Sequence, residues 1–190
     1  LRGYFNLVKE DPRLLGTNYP RIVNSLDRLN TYVNTLLEFS SAGEIERDAK
    51  LNLDSFLNNV LSKINTENAD VRVQVEPDLE IMASAHSLEQ AFTLLFKNTL
   101  SRAPESGKVS LIIAGRREDD RIIIQITDNG KQMHLKKPED IFSLCASLKS
   151  EKHLTGLPVC SRIIEAHEGT IKMISLRKRR LTQFLITFPA

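Results

Sequence analysis

Tryptophan is absent from this 190-residue chain, aromatic residues make up 6% of it, and there are only two cysteines, Cys145 and Cys160. Two thiols with no further Cys or His at metal-ligand spacing exclude a disulfide framework and a zinc knuckle, and they fit a reducing, cytoplasmic compartment. Each is read as a small apolar filler. No stretch approaches the roughly twenty consecutive apolar residues of a membrane span. The N-terminus lacks the apolar core of a signal peptide, so any membrane attachment is expected outside the chain. A dominant charge is missing as well: 26 basic and 24 acidic residues leave a net +2, which gives no bulk attraction for nucleic acid. The one basic cluster, Arg177, Lys178, Arg179 and Arg180, is read first as a solvated turn and second as a dock for an acidic partner.

What is present is 41% hydrophobic residues, enough for one good core with a smaller helical appendage. Between Tyr19 and Phe39 the apolar residues Ile22, Leu26, Leu29, Val33 and Leu36 recur at steps of four and three, the seam of a coiled coil or helix bundle. Leu1, Phe5 and Val8 carry a similar step ahead of Asp11 and Pro12, so residues 1–42 are expected to form a helical hairpin whose first helix starts upstream of Leu1. One hairpin cannot bury its own seam, and pairing with a second copy into a four-helix bundle predicts a homodimer through residues 1–42. The small, charged segment Ser40 to Lys50, with Gly43 as a helix stop, is expected to separate this domain from a second one over residues 46–190.

In that second part the periodicity predicts helices over 54–64, 86–100 and 156–167. Strands are predicted over 71–75, 79–82, 109–113, 122–126, 171–174 and 184–188, with a charged turn from Arg116 to Arg121. The fold class is therefore α+β: a helical hairpin followed by an α/β sandwich with helices on one face of a mixed sheet.

Three separated signals fall in a telling order: a helix ending in Asn98, a strand ending in Asp128 and Gly130, and Gly156 opening a helix. An amide oxygen can ligate Mg2+, a buried carboxylate can accept the amino hydrogen of adenine, and glycines let backbone amides approach phosphates. Alone, an Asp-Asn-Gly after a strand is an ordinary turn and Asn98 a surface amide. The residues between Gly130 and Gly156 would form a lid. His134 and His153 fall in that lid, His86 stands near the start of a helix, and the charge of His167 would suit a helix C-terminus.

With these residues in place the chain resembles the core of a two-component sensor histidine kinase, in the Bergerat-fold branch of ATPases that includes gyrase. Leu88 to Pro104, LEQAFTLLFKNTLSRAP, is similar to the family's N box. Asp128-Asn129-Gly130-Lys131-Gln132 is similar to its first glycine box, Ile141-Phe142 to its Phe box, Leu154-Thr155-Gly156-Leu157-Pro158 to its second glycine box, and VCSRIIEAHEGTI, Val159 to Ile171, to the helix that follows. The resemblance implies ATP and Mg2+ as cofactors, Asn98 as the Mg2+ ligand, and Arg102, Asp128, Gly130, Thr155 and Gly156 with Asn98 as the nucleotide-binding set. It implies a phospho-accepting His upstream of Leu1, no catalytic residue within the chain, and a response regulator receiver domain or another histidine kinase as partner.

The chain also departs from that pattern. Gln132 replaces the second glycine of the first box, Leu154 and Pro158 replace two in the second, and Leu181 stands where a glycine often precedes the final Thr-x-Phe. Side chains at Gln132 and Leu154 are expected to project toward the nucleotide, and Pro158 removes an amide donor. Leu94 stands where many relatives carry a polar residue, and Ser101 where a Lys is common, with Arg102 beside it as a substitute. Weak or absent ATP binding and autokinase activity is the expectation. The alternatives are a non-enzymatic pseudokinase that docks on or regulates another kinase, and a histidine phosphotransferase built on a degenerate kinase fold.

Overall fold

The computed structural model describes residues 15–43, 45–104, 107–132, 138–144, 156–176 and 179–190. Contacts divide the chain into two compact units, Leu1–Glu38 and Phe39–Ala190. Helix α1, Leu15–Ser41, carries the predicted seam. Along it Leu26, Leu29, Val33 and Leu36 are 46–51% exposed, so the described chain alone leaves most of the stripe uncovered. The expected first helix of the hairpin lies outside the described residues.

Beyond α1 come β1 Ala49–Asn52, α2 Leu53–Ser62, β2 Ala69–Val75, β3 Glu80–Ala83, α3 Ala85–Leu100, β4 Val109–Glu118, β5 Arg121–Asp128, a short 3-10 helix Pro138–Phe142, α4 Gly156–Ala166, β6 Thr170–Leu176 and β7 Leu181–Pro189. Five strands form one mixed sheet in the order β2-β4-β5-β7-β6, in which only β2 and β4 run parallel; β1 and β3 form a separate antiparallel ribbon. The α+β class with helices against a mixed sheet is as the sequence predicts.

Local chemistry accounts for these elements. Asn52 caps α2, its side chain accepting from the Ser55 N–H at 3.1 Å, and Asp54 in the first turn suits the helix dipole. Leu53, Phe56, Leu57, Val60 and Leu61 then fall on one buried face. Phe56 meets Phe92 of α3 edge to face with ring centroids 5.7 Å apart. Strict alternation in β5 buries Ile122, Ile124 and Ile126, and in β7 Phe184, Ile186 and Phe188. The opposite face is more polar, with Gln183 Nε2 donating to Thr127 Oγ1 at 3.2 Å.

Two expectations need correcting. The linker assigned to Ser40 to Lys50 is shorter, because Ala49–Asn52 pairs with Glu80–Ala83; this four-residue strand is too short to show a period. The charged turn from Arg116 to Arg121 shrinks to Asp119 and Asp120, because Gly115 to Glu118 continue the ladder opposite Ile124 to Arg121. Charged side chains on exposed strand ends cost nothing that would stop the pairing.

The expected dipole role of His167 is also overturned. The residue is 2% exposed. Its Nε2 accepts from the Ser84 N–H at 3.1 Å, so Nδ1 carries the proton and donates to the Ile163 carbonyl at 2.7 Å. Burial, with a smaller push from Arg47, holds the ring below its ordinary pKa against the pull of the Ile163 carbonyl. His167 is thus a neutral bridge from the end of α4 to the residue preceding α3. Replacing it with Ala strands a donor and is expected to lower unfolding stability by about 1–3 kcal/mol in urea denaturation. Because the folded pKa is depressed, the contribution is complete above the ordinary value of 6.5 and declines as pH falls through the folded value; His167→Ala removes that component of the acid-side decline.

Candidate functional site

Alternation along β5 sets the position of the central group. Asp128 continues the buried face of Ile122, Ile124 and Ile126 at the strand's last residue, opposite Thr182 of β7. Its side chain is fully buried. Oδ1 accepts from the Gly130 N–H at 2.8 Å, and Oδ2 accepts from Arg102 Nη2 at 2.8 Å. Burial lifts the Asp128 carboxyl above its ordinary pKa, while the Arg102 charge, the Arg102 hydrogen bond and the Gly130 N–H pull it back.

Arg102 follows the C-cap of α3 and is held from both ends. Its carbonyl accepts from the Lys131 N–H at 2.7 Å, and its Nη1 donates to the Lys131 carbonyl at 3.2 Å and reaches Thr182 Oγ1 at 3.5 Å, the outer limit of a hydrogen bond. With a side chain only 10% exposed, it is turned inward onto Asp128; its Nε is buried without a partner.

Gly130 lies under this pair. A Cβ there would come 2.8 Å from the Arg102 carbonyl oxygen and 2.8 Å from Asp128 Oδ1, so the backbone approach that a glycine permits serves the Arg102–Asp128 contact. Asn129 beside it accepts from the Ser110 N–H at 2.7 Å and extends the β4–β5 pairing past Asp128.

Asn98 sits in the last turn of α3, four residues before Arg102, and its Oδ1 is buried with no hydrogen-bond partner. An orphaned amide oxygen of this kind fits a ligand for a hard cation such as Mg2+. Each oxygen of Asp128, by contrast, already accepts one hydrogen bond from within the chain.

Two of the replaced glycine positions, Gln132 and Pro158, are taken into the packing. Gln132 Oε1 accepts from Ser175 Oγ of β6 at 2.8 Å, tying the segment after β5 to the sheet, while its Nε2 is left buried and unpartnered. Its side chain is thus engaged by β6. Gly156 opens α4, and a Cβ there would come 2.8 Å from Leu94 Cδ2; this glycine lets α4 close on α3. Pro158 is buried in the first turn of α4, where a missing N–H costs the helix nothing but leaves one donor fewer at its N-terminus. Ile141 is buried, and Phe142 meets Phe184 at 6.4 Å. Thr155, Leu154, Cys145, His134 and His153 lie outside the described residues. Cys160 is buried in the core, its thiol pushed up to about 12 by burial, and is chemically inert.

The sequence therefore supplied the residues but not their partners: Arg102 is bound to Asp128, and Thr182 and Ser175 join the site through β7 and β6. The alternation of Thr182, Phe184, Ile186 and Phe188 already places Thr182 on the inner face; nothing in the sequence pairs Gln132 with Ser175. Gly130→Ala is expected to cost about 1–3 kcal/mol of unfolding stability through overpacking against the Arg102 carbonyl, measured by chemical denaturation.

Residues 83–190 match the family described as histidine kinase-, DNA gyrase B- and HSP90-like ATPase. Among relatives, sporulation kinase B of Bacillus subtilis is 31% identical over 183 residues, covering 92% of this chain and 42% of the relative. Among solved structures, the histidine kinase AdeS of Acinetobacter baumannii has a TM-score of 0.68 at 16% identity, covering 99% of this chain and 95% of that one. A histidine kinase named ThkA, solved in complex with the response regulator protein TrrA, has a TM-score of 0.67 at 24% identity, covering 98% of this chain and 55% of that one. Less than half the length of sporulation kinase B is spanned by this chain. The buried Asp at the end of a central strand, the Asn in the last turn of the preceding helix and the matched span over both lead to one statement: the chain belongs to the histidine kinase-, DNA gyrase B- and HSP90-like ATPase family, as a sensor histidine kinase ATPase core.

Proposed function

We propose that the chain is a signalling module of two-component systems whose nucleotide pocket is eroded, so that Mg-ATP binds weakly or not at all and autokinase activity is low or absent. The observation that carries this reading is the hold of the Arg102 guanidinium on Oδ2 of the buried Asp128 carboxylate, whose other oxygen accepts from the Gly130 N–H. A purine amino group would have to share Oδ2 with this guanidinium or displace it, and displacement leaves a buried charge without its partner. The altered glycine positions point the same way, since a proline in the first turn of α4 weakens the amide cradle that phosphates require.

In this reading residues 1–42 are the dimerisation and phosphotransfer hairpin, and residues 46–190 the kinase-like domain. The module works as a cytoplasmic homodimer through its exposed seam, with a receiver domain or another histidine kinase as partner; the ThkA complex with a response regulator supports the first kind of partner. The second reading is non-enzymatic docking or regulation, and a phosphotransferase using a His upstream of Leu1 is its variant. The orphaned Asn98 oxygen favours a retained cation ligand, and the paired Asp128 favours loss of the base.

Calorimetric titration with Mg-ATP tests the reading, with Asp128→Asn as control. No saturable binding below about 1 mM, an interaction of roughly 4 kcal/mol, is expected for both proteins. Micromolar binding abolished by Asp128→Asn would contradict it. For the dimer, Leu29→Glu and Val33→Glu together place charge in the seam and are expected to weaken self-association about tenfold or more in sedimentation equilibrium.

A further inference from the structure

The Arg102–Asp128 pair does more than lower affinity in a general way. A carboxylate that has lost all contact with water needs a donor on each oxygen, and in this site Gly130 serves Oδ1 while Arg102 serves Oδ2. The guanidinium is not a loose surface charge: the Arg102 carbonyl and Nη1 are tied to the two backbone groups of Lys131, at 2.7 and 3.2 Å. Arg102 is therefore part of a closed ring of contacts running from the end of α3 to the segment after β5. Its planar fork presents only donors, so the end of the pocket that would offer an acceptor to an amino-bearing base offers donors instead. Meanwhile the Asn98 oxygen, at the other end of the same turn, remains without a partner. The Asn98 oxygen is left without a partner while the Asp128 carboxylate is already held.

We propose that Arg102 is the residue that sets ligand choice at this site: it acts as a built-in occupant of the base-reading position, excluding adenine nucleotides by holding the Asp128 carboxylate. The proposal rests on the eroded-pocket reading and names its cause. Arg102 is a specificity-determining residue: with the guanidinium removed, the Asp128 carboxylate is free to accept from an amino-bearing base, and adenine nucleotides gain affinity over ligands that carry no base.

The test compares the wild-type chain with Arg102→Met, which keeps the length of the side chain and frees the carboxylate, and with Arg102→Lys. Lysine keeps the positive charge that buried Asp128 demands but offers no fork, and it is the second variant that carries the test if the methionine variant is unfolded. Thermal melts select the folded variants, and each is titrated by calorimetry with Mg-ADP and with Mg-pyrophosphate, which carries no base. Freeing an acceptor for one charge-assisted hydrogen bond is expected to raise Mg-ADP affinity about tenfold or more in Arg102→Met, and less in Arg102→Lys. Affinity for Mg-pyrophosphate should stay unchanged, an outcome that a general loosening of the fold would not give. Unchanged or weaker Mg-ADP binding in every folded variant overturns the proposal while leaving the eroded-pocket reading in place. An equal gain for Mg-ADP and Mg-pyrophosphate also overturns it, because the base would then play no part. Tight Mg-ADP binding by the wild-type chain contradicts both the proposal and the reading beneath it.

Discussion

A carboxylate taken fully out of water at the end of a central strand must meet a positive charge or give up its own, and at Asp128 the charge is met by Arg102. Much of the neighbourhood follows from that one requirement. Gly130 has to be a glycine because the Arg102 carbonyl and an Asp128 oxygen both stand where a Cβ would be. Lys131 is drawn onto Arg102 by two backbone contacts. The pair thereby fastens the end of α3 to the end of β5, with Thr182 of β7 at its border.

Gln132 is bound to Ser175 across from β6, and Gly156 serves the approach of α4 to Leu94. Gln132 and Gly156 thus serve contacts within the chain. The Asn98 oxygen is the exception, a buried acceptor with no partner of its own. The site thus combines a polar group still poised for a ligand with side chains committed to one another.

Much of this architecture could be read from the chain alone, for reasons that differ by element. The apolar stripes of α2 and α3 and the alternation in β5 and β7 carry strong periods, and the structure forms helices and strands within a few residues of the predicted bounds. Four-residue β1 carries no period and emerges only through its pairing with β3. The order of Asn98, Asp128 and Gly130 along the chain gave their places at the end of α3 and of β5, whereas the partner of Arg102 was not legible. A basic residue after a helix gives no sign of whether it points to solvent, phosphate or a carboxylate, and only the tertiary arrangement brings residues 102 and 128 together. His167 misled for the same reason: a histidine at a helix end suggests a charge for the dipole, and burial against Ser84 makes it neutral.

The most direct measurement is a double-mutant cycle on unfolding free energy, using Arg102→Met, Asp128→Asn and the two combined, in urea at neutral pH. If the pair is the constraint described, the single changes are strongly non-additive, with a coupling of about 1–3 kcal/mol, because the second change removes the group that the first leaves unpaired. Additivity within about 0.5 kcal/mol would mean that the two side chains act independently, and would contradict the account.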